Sequence, residues 1–234
     1  MKTILITGVN RGIGNAIAQE FLNNNWHVIG TVQDGNKEIN LDSFENFQKE
    51  TLDVSDFQSM DRLVEKIFNQ SIDVLLNNAG VIDASSLNES IYDNEHSLMN
   101  VYLVNTISPY IFAEKLSPQI LRGSDKLVVS VSSLLSKIEH MLPQHWVYGS
   151  SKTSLNYAMK AFARNYPKIK VALVRPGWVR TDMGGENAPL GMKEAAQIIY
   201  NNIEHYNERL PANAMVGPEN DITFFLKQNP MQVA

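Results

Sequence analysis

The stretch TGVNRGIG, residues 7–14, carries three glycines in eight positions and decides how the rest of the chain is interpreted. It follows an apolar run at 4–6 and precedes a helical apolar pattern that starts at Ile13. Unpaired N–H groups at a helix start bind phosphate when no side chain blocks the approach. Gly8, Gly12 and Gly14 clear that approach, although G-x-x-x-G-x-G differs from the usual G-x-G-x-x-G. This segment, the glycine turn, therefore predicts a phosphate site; a flexible turn without a ligand is the alternative.

Apolar runs alternate with helical patterns along the whole chain, which is typical of βαβ units on a parallel sheet. The expected strands are 3–7, 27–32, 49–53, 74–77, 126–131 and 170–175, with a short last strand at 214–216. The expected helices are 13–23, 57–69, 95–121, 148–165 and 192–206. Ser55, followed by Gln58, is expected to cap the second helix. The predicted fold class is α/β: a doubly wound parallel sheet of Rossmann-like type, with about seven strands and helices on both faces.

Length and composition exclude several classes of protein. The 234 residues suit one domain over 1–234, and neither linkers nor repeats divide them. A net charge of −5 without basic runs argues against nucleic acid as a partner. The chain has no cysteine, and no apolar stretch is long enough to span a membrane. Strand-like sequence begins at Lys2, so we expect no signal peptide and a cytoplasmic protein.

Three irregular segments follow predicted strands, at 81–93, 132–145 and 181–191. In a parallel sheet these segments gather at the carboxyl edge, where ligands bind. The last segment is rich in glycine and leads into a predicted substrate lid near 182–195. An ordinary surface loop is the alternative for that lid.

Tyr148 and Lys152 lie four positions apart on a predicted helix, so they share one face. A tyrosine with an ordinary pKa near ~10 is a poor acid–base group at neutral pH. A nearby ammonium favours the phenolate and lowers that pKa, which suits general acid–base catalysis. A surface tyrosine beside a solvated lysine would have the same spacing.

Asn105 lies within the long helical pattern, four residues before Pro109. Since proline has no N–H, the carbonyl of Asn105 loses its helical donor and the helix is expected to kink there. The freed oxygen is then available to bind another group. The alternative is a helix that ends and restarts near Ser108.

Five motifs occur in order: the glycine turn, NNAG (77–80), SS (132–133), YGSSK (148–152) and PGWVRTDM (176–183). Together they resemble the short-chain dehydrogenase/reductase family, nearest its branch of carbonyl reductases and C-factor-like proteins. The resemblance covers nearly the whole chain. It implies a nicotinamide-dependent oxidoreductase acting on a carbonyl or alcohol group.

The resemblance also implies a catalytic set of Asn105, Ser133, Tyr148 and Lys152. Tyr148 would exchange a proton with the substrate oxygen, and Ser133 would hold that oxygen; Ser132 is the alternative serine. Lys152 would lower the pKa of Tyr148 and bind the nicotinamide ribose. A water would link Asn105 to Lys152.

The resemblance likewise implies the residues that hold the cofactor. Asp53 and the adjacent Val54 would lie at the adenine, the NNAG segment at its ribose, and the segment starting at Pro176 at the nicotinamide. The complete expected set is Gly8, Asn10, Arg11, Gly12, Ile13, Gly14, Gln33, Asp53, Val54, Asn78, Ala79, Gly80, Tyr148, Lys152, Pro176, Gly177, Val179 and Thr181. No metal site is expected.

The end of the second strand bears on the choice between NAD(H) and NADP(H). An acidic residue there binds the ribose 2′-OH and repels a 2′-phosphate. By alignment on the family, Val32 takes that position and Gln33 follows it, while Arg11 can supply a cation for the phosphate. NADP(H) is therefore favoured over NAD(H). Asp34 is the counter-argument, because a shift of one residue would bring its carboxylate to the ribose.

The predicted reaction is hydride transfer between a nicotinamide and a small carbonyl or alcohol substrate. The alternative is a nucleotide-binding, C-factor-like signalling or regulatory protein with little turnover. The family habit implies a homodimer or homotetramer, with helices 95–121 and 148–165 as the interface.

Overall fold

An eight-stranded sheet forms the centre of the protein, in the order β3-β2-β1-β4-β5-β6-β7-β8. The computed structural model describes residues 1–82 and 95–206, together with the backbone of the strands at 214–216 and 222–224. The first seven strands are parallel, and the eighth pairs antiparallel with the seventh. The strands are β1 Thr3–Ile6, β2 His27–Val32, β3 Phe47–Thr51, β4 Val74–Asn77, β5 Leu127–Val131, β6 Lys170–Val174, β7 Ala214–Val216 and β8 Ile222–Phe224.

Helices cover both faces of the sheet, as the sequence predicts. Ile4 and Ile6 of β1 point to one hydrophobic cluster, and Leu5 points to a second cluster on the opposite face. Helices α1 and α7 pack on the first face, while α2, α4 and α6 pack on the second. The helices are α1 Gly12–Asn23, α2 Phe57–Lys66, α3 Glu95–Tyr102, α4 Ser108–Lys115, α5 Ser117–Arg122, α6 Trp146–Asn165 and α7 Met192–Glu204. The predicted doubly wound α/β fold is confirmed.

The predicted helix at 95–121 is not continuous. A π-helical segment, Leu103–Ile107, separates α3 from α4, and the N–H of Ser108 bonds to the carbonyl of Leu103. Pro109 and Pro118 each lie in the first turn of a new helix, where the missing N–H costs nothing. The interruption thus falls at Asn105, where a kink is expected from the sequence.

Two further details differ from the sequence-based expectations. Strand β3 spans Phe47–Thr51 rather than 49–53, because its pairing with β2 starts at Phe47, opposite Val28. The side chain of Asp56, not Ser55, caps α2 by accepting from the N–H of Gln58. Ser55 is occupied, since both its N–H and its hydroxyl donate to Asp53.

Strand β8 has no counterpart among the predicted elements. Its three residues are too few to show a periodic pattern, and pairing with β7 defines it. Across the described part of the chain, none of the helices combines the length and apolar character that crossing a bilayer requires.

Candidate active site

The order of the strands reverses at β1, which pairs with β2 on one side and with β4 on the other. Ligands of open α/β sheets bind at such a reversal, beyond the carboxyl ends of the strands. The glycine turn follows β1, and the segment NNAG leaves β4 directly beside it. The structure therefore brings these two predicted motifs together.

Backbone geometry explains the glycines of the turn. Gly8 and Gly12 have φ angles of +75° and +62°, which residues with a side chain rarely adopt. At Gly14, a Cβ would lie 2.2 Å from the carbonyl oxygen of Gly8 and 2.4 Å from Nδ2 of Asn78. A side chain at position 14 would force the turn open.

The start of α1 has the donors that a phosphate needs. Arg11 precedes the helix in an extended conformation, and among the described residues no side chain caps the first N–H groups. The first turn contains no acidic residue. The positive end of the helix dipole therefore meets no protein carboxylate within its own turn, so the residues present fit a cofactor diphosphate.

Asn78 acts as a brace for the glycine turn. Its Nδ2 donates to the carbonyl oxygens of Thr7 (2.9 Å) and Gly8 (3.1 Å), and its backbone N–H donates to the Thr7 hydroxyl. The N–H of Ala79 donates to the same hydroxyl at 3.0 Å. Within the described residues, Oδ1 of Asn78 is buried without a hydrogen-bond partner, which leaves an acceptor for a ligand group. Sequence analysis did not single out Thr7, although it immediately precedes Gly8.

Beyond the ends of β2 and β3, the chain presents polar side chains around a cavity of about 440 Å³. Gln33 and Asp34 both line it and both are exposed. Asp34 accepts the N–H of Asn36, so its carboxylate is partly engaged in the loop. Asp53 follows the end of β3 by two residues and is half-buried. Its Oδ1 accepts hydrogen bonds from the N–H and the hydroxyl of Ser55.

Arg11 forms an ion pair with Asp182, the first residue of the predicted lid. Both side chains are largely exposed, at 71% and 80% of their surface. The pair links the glycine turn to the segment after β6. Arg11, the cation expected at a 2′-phosphate, is thus already paired with the carboxylate of Asp182. An exposed ion pair of this kind contributes little to stability.

Helix α6 carries Tyr148 and Lys152 toward the end of β5. Lys152 is only 4% exposed, and its ammonium donates to the carbonyl oxygen of Val131 at 2.8 Å. The same Nζ lies 5.8 Å from the centre of the Tyr148 ring. The shared helix face predicted from the four-residue spacing is confirmed.

The pKa values of this pair differ from the expectation. Burial lowers the pKa of Lys152 to about 8. Burial also raises the pKa of Tyr148 above its ordinary value, and a hydrogen bond with Ser133 opposes that rise. The expected lowering by Lys152 is therefore wrong for this structure, because desolvation of the phenol outweighs the effect of an amine that contacts Val131 instead.

The structure separates the two candidate serines. Ser133 is close enough to the Tyr148 phenol to lower its pKa. Ser132 is 2% exposed, and its hydroxyl donates to Oδ1 of Asn156 on α6. Neighbouring residues of an extended chain point to opposite sides, which explains the division. Ser133 is the serine that the structure places at the tyrosine.

Asn105 is fully buried in the π-helical segment. Its side chain exchanges two hydrogen bonds with the backbone of Val81, at 2.9 and 2.8 Å, and donates to the Ser151 hydroxyl. A Cβ on Gly80 would lie 3.2 Å from Oδ1 of Asn105 and 3.6 Å from Nζ of Lys152. A side chain at position 80 would therefore crowd both Oδ1 of Asn105 and the amine of Lys152.

The segment after β6 is held by its own hydrogen bonds. Gly177 has a φ angle of +86°, and Val179 forms a bridge with Leu190. The hydroxyl of Thr181 accepts the N–H of Gly184 at 3.0 Å, and Arg180 donates to two carbonyl oxygens at 188 and 189. The loop ends at Gly191, so residues 192–195 of the predicted lid belong to α7.

Comparison with known proteins decides the family. Residues 2–189 match the family model described as short chain dehydrogenase. The chain belongs to the short-chain dehydrogenase family. It is accordingly an oxidoreductase of this type, as its five motifs predict.

Individual short-chain dehydrogenases resemble the chain over most of its length. A putative member from Burkholderia multivorans, crystallised with bound NADP, shares 25% identity over 96% of this chain and 99% of its own, with a TM-score of 0.84. The carbonyl reductase Sniffer of D. melanogaster shares 28% identity, covering 93% and 96% of the two chains, with a TM-score of 0.82. The 3-oxoacyl-[acyl-carrier-protein] reductase FabG of Buchnera aphidicola subsp. Schizaphis graminum is 29% identical over 188 residues, which are 78% of this chain and 75% of the relative.

The predicted site of this short-chain dehydrogenase thus comprises two groups of residues that the fold brings to one sheet edge. Sequence reasoning missed the side chains that support them, above all Thr7, Ser151 and Asn156. Their hydroxyl and amide groups match no motif, and only their contacts across the fold reveal them. Among the described residues, no group of three or more potential metal ligands is close enough to hold an ion.

Proposed function

We propose that the protein is an NADP(H)-dependent reductase of small carbonyl compounds, with Asn105, Ser133, Tyr148 and Lys152 as its catalytic set. One observation carries the proposal. Ser133 is the serine whose side chain lowers the pKa of the Tyr148 phenol, and Nζ of Lys152 lies 5.8 Å from the centre of the ring of that tyrosine. A hydroxyl, a phenol and an ammonium in this order suit protonation of a carbonyl oxygen.

In the direction of reduction, Tyr148 donates its phenolic proton to the substrate oxygen while Ser133 donates a hydrogen bond to the same oxygen. The bound nicotinamide supplies the hydride. Burial raises the pKa of Tyr148, so the phenol has a proton to donate at neutral pH but is a weaker acid than an ordinary tyrosine. Lys152 is held by Val131, and Asn105 is held by Val81 and Ser151; these contacts fix both groups in place.

For the cofactor, we propose that the diphosphate binds at Gly8, Asn10, Arg11, Gly12, Ile13 and Gly14. The uncapped start of α1 and the open backbone at Gly12 support this assignment. The adenosine would contact Gln33, Asp53, Val54, Asn78, Ala79 and Gly80. The nicotinamide side would contact Tyr148, Lys152, Pro176, Gly177, Val179 and Thr181.

The preference for NADP(H) over NAD(H) rests on two features. Val32 is apolar where NAD-binding relatives need an acid, and Arg11 immediately precedes α1 in the glycine turn, where it can supply a cation. The NADP bound in the Burkholderia multivorans protein supports the same choice. Binding of a 2′-phosphate by Arg11 would compete with Asp182 for the guanidinium.

We further propose a cytoplasmic homodimer or homotetramer with residues 1–234 as one domain. Large side chains exposed on the helices of the expected interface support the association: Met99, Ile107 and Tyr157 are 65%, 46% and 80% exposed. Residues 182–191 would order further over the substrate and exclude water, pivoting on the hydrogen bonds of Arg180.

The decisive experiment measures oxidation of NADPH and NADH by the purified protein against a panel of aldehydes, ketones, quinones and a 3-oxoacyl thioester. Turnover with NADPH well above that of Tyr148→Phe supports the proposal. Turnover only with the thioester assigns the FabG-like substrate instead. Nucleotide binding without turnover across the panel supports the rival function, a signalling or regulatory protein with the same fold.

A further inference from the structure

A polar network joins α6 to the exit of β5 and lies outside the proposed chemistry. Asn156 is one helical turn beyond Lys152, so it faces the same side of α6. Its Oδ1 accepts from the Ser132 hydroxyl at 2.7 Å, and its Nδ2 donates to the Ser136 hydroxyl at 3.0 Å. One amide therefore ties two residues that flank Ser133 in sequence.

Ser136 passes this restraint on to Ser133. The Ser136 hydroxyl donates to the carbonyl oxygen of Ser133 at 2.7 Å, and the Ser136 N–H donates to the same oxygen at 3.2 Å. Ser132 and Ser136 are 2% and 6% exposed, so water does not compete freely for these bonds. Thr153 of α6 adds a bond to the carbonyl of Ser136 at 2.7 Å.

We infer that Asn156 is a positioning residue that sets the place of the Ser133 hydroxyl relative to Tyr148. Ser133 ends the extended strand, with φ −143° and ψ 156°, and begins a short 3₁₀ turn, Leu134–Ser136. In the part of the chain that the structure describes, the turn pairs with no strand, so its docking on α6 determines where Ser133 lies. Since α6 also carries Tyr148, the amide couples both reacting groups to one rigid element.

The direction of the hydrogen bonds makes the amide specific. Asn156 uses its oxygen for Ser132 and its nitrogen for Ser136, which leaves the Ser136 hydrogen free to point at Ser133. A carboxylate at position 156 has no donor, so the Ser136 hydroxyl would turn toward it and leave Ser133. Asn156→Asp should therefore disturb the site although its shape is unchanged.

The inference rests on the proposed function and is tested by a double-mutant cycle in the NADPH-dependent assay. Asn156→Ala is expected to lower kcat by about tenfold, with the Kd for NADPH changed less than about twofold. Ser133→Ala is expected to lower kcat by about 100-fold. In the Ser133→Ala background, Asn156→Ala should cause no further loss, because its effect passes through the Ser133 hydroxyl.

Asn165→Ala is the matched control, since it removes an asparagine of the same helix whose Nδ2 donates to the Tyr110 hydroxyl, and kcat should not change. Ser136→Ala removes the donor onto Ser133 together with the acceptor for Nδ2 of Asn156 and should reproduce the loss; it replaces Asn156→Ala if that variant fails to fold. The inference is overturned if the losses from Asn156→Ala and Ser133→Ala multiply in the double mutant, or if Asn156→Ala and Ser136→Ala both leave kcat unchanged. Either result leaves the proposed function intact. A wild-type protein without turnover overturns both.

Discussion

The glycine turn and the catalytic corner, formed by residues 131–136 and 148–156, are built in different ways. The glycine turn is one continuous segment, and its shape depends on its own backbone, through two positive φ angles and a closely packed Gly14. The catalytic corner joins segments that are far apart in sequence, and side chains such as Lys152 and Asn156 make the joins. A local motif thus forms one half of the site and a network of long-range hydrogen bonds forms the other.

This difference separates binding from chemistry. Backbone N–H groups at a helix start can hold a phosphate with little dependence on distant side chains. Proton transfer depends on the distance between the hydroxyl, phenol and ammonium groups, which the packing of α6 against β5 determines. Substitutions in the two regions should therefore have different kinetic signatures.

The largest effect is expected from Tyr148→Phe. Loss of the phenolic proton should lower kcat by about 1,000-fold, while the Kd for NADPH stays within about threefold of the wild-type value. Steady-state kinetics and fluorescence titration of NADPH measure the two quantities. Tyr157→Phe, at an exposed tyrosine of the same helix, should change neither. Equal losses of binding and turnover would show that the two regions are not separable.

Gly14→Ala should damage the glycine turn directly. A Cβ 2.2 Å from the Gly8 carbonyl forces the backbone apart, so we expect unfolding to become easier by about 3 kcal/mol and NADPH binding to weaken strongly. Gly12→Ala is the graded comparison, because its Cβ has room and only the positive φ opposes it, at a cost of about 1 kcal/mol. Denaturant titration with and without NADPH measures both. If Gly14→Ala binds NADPH as tightly as the wild type does, the argument from close packing at Gly14 is wrong.

Lys152→Met should lower kcat by less than Tyr148→Phe does, yet stabilise the protein. Burial lowers the pKa of Lys152 to about 8, so the charged amine destabilises the folded protein at neutral pH. Removal of the charge also removes the hydrogen bond to Val131, and the net gain in the free energy of unfolding should be about 1–2 kcal/mol. Denaturant titration at several pH values measures the gain.

The pH dependence of that gain has a definite sign. Below pH 8 the lysine is charged in both states and the gain is complete. Between pH 8 and about 10.4, the unfolded wild-type chain binds more protons than the folded one, so wild-type stability rises and the gain shrinks. Lys168→Met, at an exposed lysine, should show no such trend. A gain that grows with pH would contradict the assignment of burial as the cause.

The smallest effect is expected from Asp182→Asn. Removal of the carboxylate frees Arg11 for a 2′-phosphate, so the affinity for NADPH should rise by about two- to fivefold while that for NADH stays unchanged. Asp61→Asn, which breaks an exposed ion pair with Lys115 away from the site, serves as the control. An equal rise in affinity for NADPH and NADH would mean that Arg11 does not bind the 2′-phosphate.

Much of the site was predictable because its residues occur in short motifs. The spacing of Tyr148 and Lys152 predicts their shared helix face, and Pro109 predicts the interruption at Asn105. The choice of Ser133 over Ser132 was only indicated, because it depends on which face of the strand exit meets α6. The pKa of Tyr148 was predicted in the wrong direction, since its burial depends on packing that no motif encodes.

Sequence alone determined the succession of β1 to β7 and the glycine turn, because these follow from local periodicity and spacing, and its resemblance to a family supplied the candidate catalytic residues. Tertiary structure alone decided that Asn78 braces the turn, that Arg11 pairs with Asp182, and that Asn156 ties the serine turn to α6. The physical reason is range. Backbone conformation and amphipathic spacing act over a few residues, whereas burial and side-chain hydrogen bonds depend on segments that meet only after the sheet has formed.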